Sequence, residues 1–70
     1  MKKLEKSIGT KIKNWRKKRE LTQDSLSKKA DIPYTTLSKI ESNVIKNPSL
    51  NTIIKIAKGL SVTVDELISN

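Results

Sequence analysis

Four polar residues in mid-chain, Tyr34, Thr35, Ser38 and Lys39, alternate with two aliphatics, Leu37 and Ile40. On a helix from Tyr34 to Ser42 the two aliphatics point one way, and the polar groups occupy the other faces. Hydroxyls of this kind donate or accept hydrogen bonds at the edges of DNA bases, a Thr methyl suits thymine, and Lys prefers guanine acceptors. Solvated helix surface uses the same residue types, so the surroundings must decide whether this face reads anything.

The surroundings include a strong charge field. Fifteen Lys plus Arg stand against seven Asp plus Glu, a formal charge of +8, and nine of the fifteen basic residues fall between Lys2 and Arg19. Such a field favours polyanionic partners and salt-dependent binding. The plain alternative is a solvated helix face. Other chemistry is thin, because the chain has no His and no Cys. These absences remove the usual zinc ligands, the usual general base at neutral pH and the thiolate nucleophile. No catalytic residue, metal site, cofactor or small-molecule substrate is therefore expected, and no disulfide offsets the small size.

The elements that would position the polar face can be read from periodicity and caps. Seventy residues fit one compact domain, since a chain this short buries only about 60% of its unfolded surface. With 34% hydrophobic residues, no Phe, one Trp and one Tyr, the core must be Leu, Ile and Val. That is near the small end of what folds unaided, so help from a partner subunit would be in keeping.

Leu4, Ile8, Ile12 and Trp15 recur at helical spacing, which predicts an amphipathic helix over roughly Leu4 to Arg19 with Trp15 on its core side. Thr22 can cap a second, two-turn helix, Asp24 suits its positive first turn, and Leu26 and Ala30 supply its apolar face. Asp31 tolerates a left-handed turn and Pro33 presets a helix start, so Ala30 to Pro33 reads as the hinge before the Tyr34–Ser42 helix. Asn43 suits a left-handed helix end, and Pro48 stiffens the loop that follows.

Ser49 can cap a fourth helix in which Leu50, Ile53, Ile54, Ala57 and Leu60 fall on one face, widened by Ile56. Thr63 and Glu66 form a T-x-x-E capping box for a short fifth helix ending near Ser69. With no repeat, low-complexity tract or strand-like alternation, the expected class is all-α.

A two-turn helix, a tight turn and a second helix crossing it steeply form the arrangement whose second helix enters the major groove of DNA. It requires buried residues, here Leu26, Ala30, Ile32, Leu37 and Ile40, to fix the crossing angle while the start of the second helix stays polar. The segments LTQDSLSKKADIPYTTLSKIE, NPSLNTIIKIAKGL and SVTVDELI resemble the lambda repressor/Cro-like helix-turn-helix family, also called the xenobiotic-response-element family. The resemblance runs from about Ile8 to Ile68. The loop SNVIK is one residue longer than the family's commonest pattern and resembles the Sin-type repressors.

The resemblance implies a compact five-helix, lambda-repressor-like DNA-binding domain over residues 1–70, with the helix-turn-helix at about residues 23–42. Matched position by position, Tyr34, Thr35, Ser38 and Lys39 would read bases, with Thr36 near the DNA backbone. Gln23 would contact a phosphate or brace a base-reading side chain, while Asn43 and Lys46 match phosphate-contacting positions that set register rather than sequence preference. Arg16 and Glu41 match a pair joining the first helix to the end of the recognition helix, which reads as a structural ion pair because Arg and carboxylate form bidentate bonds. Where the family often has Gly, this chain has Glu20, Asp31 and Ser61. A left-handed conformation at each would cost roughly 1 kcal/mol relative to Gly.

The implied function is a sequence-specific regulator binding double-stranded DNA, as a homodimer on paired half-sites. The last helix, with Leu67 and Ile68, is the expected place for self-association. An antitoxin or anti-regulator acting mainly through a protein partner is the alternative, and it would need a further partner-binding segment. A surface-active or RNA-binding basic peptide has only the Lys-rich first helix in its favour. The basic N-terminus lacks the apolar core and cleavage site of a secretory signal, and no apolar run approaches the about 20 residues of a membrane span. A cytoplasmic, nucleoid-associated protein with no membrane partner is therefore expected.

Overall fold

The computed structural model describes residues 7–69. Among them it shows five helices: α1 (Ile8–Lys18), α2 (Gln23–Ala30), α3 (Tyr34–Glu41), α4 (Leu50–Leu60) and α5 (Val64–Ile68). The expected class and all five expected helices are present. Leu4 lies outside the described residues, and within them α1 starts after an N-cap, Ser7, whose side chain accepts from the Thr10 amide at 3.1 Å.

Short polar residues start most of the helices by satisfying amides that no helical carbonyl reaches. The Ser49 hydroxyl accepts from the Thr52 amide at 3.2 Å. The Thr63–Glu66 box closes as its spacing predicts, with reciprocal bonds of 3.0 and 2.8 Å. Thr22 caps α2 through a box that the expected motif did not include, because Ser25 takes the place usually held by Glu: the two reciprocal bonds are 3.0 and 2.9 Å. The start of α3 differs in kind. Pro33 holds its N-cap position at φ −62° without a side-chain bond, so backbone stiffness replaces a cap.

The helices end on four non-glycine residues with left-handed backbone: Glu20 (φ 59°), Asp31 (59°), Asn43 (66°) and Ser61 (61°). After Glu20, Asp31 and Ser61 the next helix begins three residues on, while Asn43 opens a longer loop that runs to α4 at Leu50.

A single cluster forms the core: Ile12, Leu26, Ala30, Leu37, Ile40, Ile53, Ile56, Ala57, Leu60 and Leu67, with Ile8, Trp15, Leu21, Ile32 and others packed partly against it. Fully burying one such Leu or Ile stabilises the fold by about 1.5–3 kcal/mol, so these aliphatics stand in for the aromatics the chain lacks. Trp15 sits on the core side but is only half-buried, and Lys18 and Arg19 lie over its ring at 4.8 and 5.3 Å from the centroid.

Two sequence readings change. In α4 the buried stripe is Ile53, Ile56, Ala57 and Leu60, whereas Leu50 is 68% exposed at the first turn, where the helix has not yet reached the core. Leu67 is fully buried, so of Leu67 and Ile68 only Ile68 remains exposed.

Side chains from α1 and its C-cap fasten the far end of the bundle. Arg19 Nε donates to the Leu60 carbonyl at 3.0 Å, and Lys11 Nζ donates to the Ile68 carbonyl. Both cations meet the negative ends of helices. No helix among the described residues is long and apolar enough to cross a membrane.

Candidate nucleic-acid interface

The candidate face is built on α3, which turns Leu37 and Ile40 fully into the core. That fixes the rotation of the helix. Tyr34, at its first residue, is 49% exposed, Thr35 and Lys39 are exposed, and Thr36 and Ser38 are half-buried beside them. The four expected base-reading residues thus share the outer side of one short helix. Its polar groups cost nothing to expose.

Beneath this face lies a buried carboxylate. Glu41, the last residue of α3, has 1% of its side chain exposed, and it is bound by Arg16 of α1, Nε to Oε2 at 2.8 Å and Nη2 to Oε1 at 3.1 Å. Arg16 Nη1 also donates to the Leu21 carbonyl at 2.8 Å, which ties in the turn before α2. The expected Arg16–Glu41 pair is present and bidentate. An ionised carboxylate this deep requires such donors, because burying it unpaired would cost several kcal/mol.

Gln23, the first residue of α2, gives Glu41 Oε1 a third donor, Nε2 at 3.0 Å. Bracing was one expected role for Gln23, but its partner is this structural carboxylate rather than a base-reading side chain. The amide keeps a second N–H, and the side chain is half-buried at the helix start. No buried side-chain polar atom among the described residues lacks a partner.

The loop after α3 folds tightly onto it. The Lys39 carbonyl accepts from the Val44 amide at 2.9 Å and from the Ile45 amide at 3.0 Å, while Asn43 takes the left-handed conformation. Asn43 and Lys46 are both exposed on this loop, so they adjoin the helix face without belonging to it.

One residue that shapes the site was not singled out from the sequence. A Cβ on Gly9 would lie 2.1 Å from the Ile40 carbonyl oxygen and 3.0 Å from Asn43 Oδ1, so α1 crosses the end of α3 at backbone contact. The available signal was Gly itself, which costs about 1 kcal/mol relative to Ala inside a helix and needs a reason to be there.

The arrangement is two short helices joined by a left-handed Asp31, with the second held rigidly and its polar side outward. A helix-turn-helix family model matches residues 12–67, most of the chain. This protein belongs to the helix-turn-helix family.

Among its relatives, an HTH-type transcriptional regulator of Rickettsia prowazekii is 39% identical over 70 residues, a match covering 89% of this chain and 75% of that protein. The HTH-type transcriptional regulator SinR of Bacillus subtilis is 36% identical over 61 residues, covering 87% of this chain and 55% of that protein. The helix-turn-helix chain therefore spans about half the length of that regulator. A crystal structure of SinR, the master regulator for biofilm formation, in complex with DNA superposes with a TM-score of 0.83 at 35% identity, covering 89% of this chain and 98% of that one. Within the lambda repressor-like family the likeness is to the Sin-type branch, as the long SNVIK loop suggested.

Proposed function

We propose that this helix-turn-helix protein is a sequence-specific transcriptional regulator, not an enzyme, that binds double-stranded DNA as a dimer on paired half-sites. In this reading residues 34–42 lie in the major groove. Tyr34, Thr35, Ser38 and Lys39 read base edges, while Gln23, Thr36, Asn43 and Lys46 hold the DNA backbone and set the register. Arg16 and Glu41 keep the reading helix in place and belong to the scaffold. The protein works in the cytoplasm, associated with the nucleoid.

The observation that supports this reading best is the contrast between the two sides of α3. Its inner side ends in a carboxylate held by three donated hydrogen bonds from α1 and α2, while its outer side has exposed hydroxyls and an ammonium. Base readout needs donors and acceptors placed beforehand, and rigid anchoring of the helix supplies that. The second Gln23 N–H is available to a phosphate from the start of α2, where the helix dipole also favours an anion. The formal charge of +8 adds sequence-independent affinity.

The test is selection of bound duplexes from a random pool. The expected product is a pair of symmetric half-sites spaced by about 34 Å, one turn of DNA. A protein that binds random duplexes as tightly as any selected one would not be a sequence-specific regulator. An enriched single, unpaired site would remove the dimer from the reading and leave the DNA-binding role.

A further inference from the structure

Two exposed hydrophobic side chains bracket α3: Tyr34 at its first residue, 49% exposed, and Val44, three residues past its end, 69% exposed. A single exposed aliphatic needs no explanation by itself. Val44 differs in how it is held. The Lys39 carbonyl accepts from the Val44 amide at 2.9 Å and from the Ile45 amide at 3.0 Å, and Ile45 packs partly against the core. Val44 is therefore anchored to the backbone of a residue whose exposed ammonium belongs to the outer face of α3, and it keeps a fixed place beside that face.

The outer face of α3 is poor in side chains that identify a base through paired hydrogen bonds. Its exposed and half-buried residues are Tyr34, Thr35, Thr36, Ser38 and Lys39. None is Arg, Asn or Gln, so Lys39 on guanine is the one such contact open to it. Base identity must then rest partly on apolar contact, and the C5 methyl of thymine is the apolar group that a base edge offers in the major groove. That methyl stands at the margin of the groove, beside the phosphates of its own strand. In the reading proposed above Asn43 and Lys46 hold phosphates, and Val44 lies between them in the chain. Deoxyribose is apolar too, but it is common to all four nucleotides and would give Val44 no preference.

We propose that Val44 is a further specificity-determining residue, whose exposed isopropyl group packs on the C5 methyl of a thymine at the edge of each half-site. The proposal rests on the DNA-reading role of α3 and deepens it, because a base is identified here by a loop residue and without a hydrogen bond.

Uracil in place of thymine removes the methyl and leaves base pairing intact, so selected duplexes with uracil at each enriched thymine in turn test the contact. At one position in the half-site, wild type should bind the uracil duplex about three- to fivefold less tightly, the worth of one buried methyl group. For Val44→Ala the ratio of thymine to uracil affinity at that position should fall to about 1, while Thr35→Ala, which alters a different part of the reading surface, should keep the wild-type ratio. The readout compares two duplexes bound by the same protein, so any change in the folded fraction cancels. A wild type indifferent to uracil at every position overturns the proposal, and so does a Val44→Ala variant that keeps the wild-type ratio throughout. The DNA-reading role is judged separately. If Thr35→Ala or Lys39→Ala changes base preference and Val44→Ala leaves every ratio intact, only the role of Val44 falls, whereas a protein that selects no sequence loses both.

Discussion

The α-carbon of Gly9 lies so close to the carbonyl of Ile40 that a methyl group on it would fall 2.1 Å from the oxygen. The first helix therefore sets the height of α3 through backbone contact, independently of the Arg16–Glu41 bond.

Gly9→Ala should therefore destabilise the protein even though Ala is the better helix former. Overpacking against backbone costs about 1–3 kcal/mol, which outweighs the gain of about 1 kcal/mol in helix propensity for all but the mildest clash. Thermal unfolding should show a lower Tm, by about 4–8 °C per kcal/mol for a domain of this size. An unchanged or higher Tm would mean that α1 can shift away from α3 freely.

Glu41→Ala should cost about 3 kcal/mol, since it leaves Arg16 with 13% of its side chain exposed and without its carboxylate. Gln23→Ala removes one donor of three and should cost about 1–2 kcal/mol. In a double-mutant cycle, Arg16→Ala with Glu41→Ala should be less damaging than the sum of the two, by about 1–3 kcal/mol. Additive losses in urea unfolding would show that the pair is not coupled.

Lys39 and Lys46 should separate base reading from backbone holding. Lys39→Ala should relax base preference at one position of a selected site, whereas Lys46→Ala should weaken all sequences alike and flatten the salt slope by about 1. Binding titrations at two salt concentrations distinguish these outcomes, and the reverse pattern would reassign both residues.

The left-handed helix ends hold recoverable stability. Glu20→Gly and Ser61→Gly should each stabilise the protein by about 0.5–1 kcal/mol in chemical unfolding, because Gly takes φ near +60° without a Cβ clash. Asp31→Gly should gain least, since Asp tolerates that region better. Lys58→Gly, inside α4, should instead lose about 1 kcal/mol. A loss at Ser61 as well would place its value in contacts rather than conformation.

The helices, their order and the caps at Thr22, Ser49 and Thr63 were legible in the residues because each is a local property, whereas the Ser7 cap and the Ser25 half of the α2 box were not read. Ser49 and Thr63 cap because a short side-chain oxygen reaches an amide three residues on, and Asp31 turns left-handed because its neighbours demand a helix end there. The outer face of α3 was legible for the same reason, since Leu37 and Ile40 bury themselves wherever a core is available. Leu50 misled because periodicity counts positions on a helix and not how far the core extends along it. The partner of Gln23, the crossing at Gly9 and the bond from Lys11 to the Ile68 carbonyl depend on residues 18 to 57 positions apart meeting in space. Only tertiary packing decides such meetings, because the sequence specifies which groups must be satisfied and the assembled helices determine which groups lie close enough to do it.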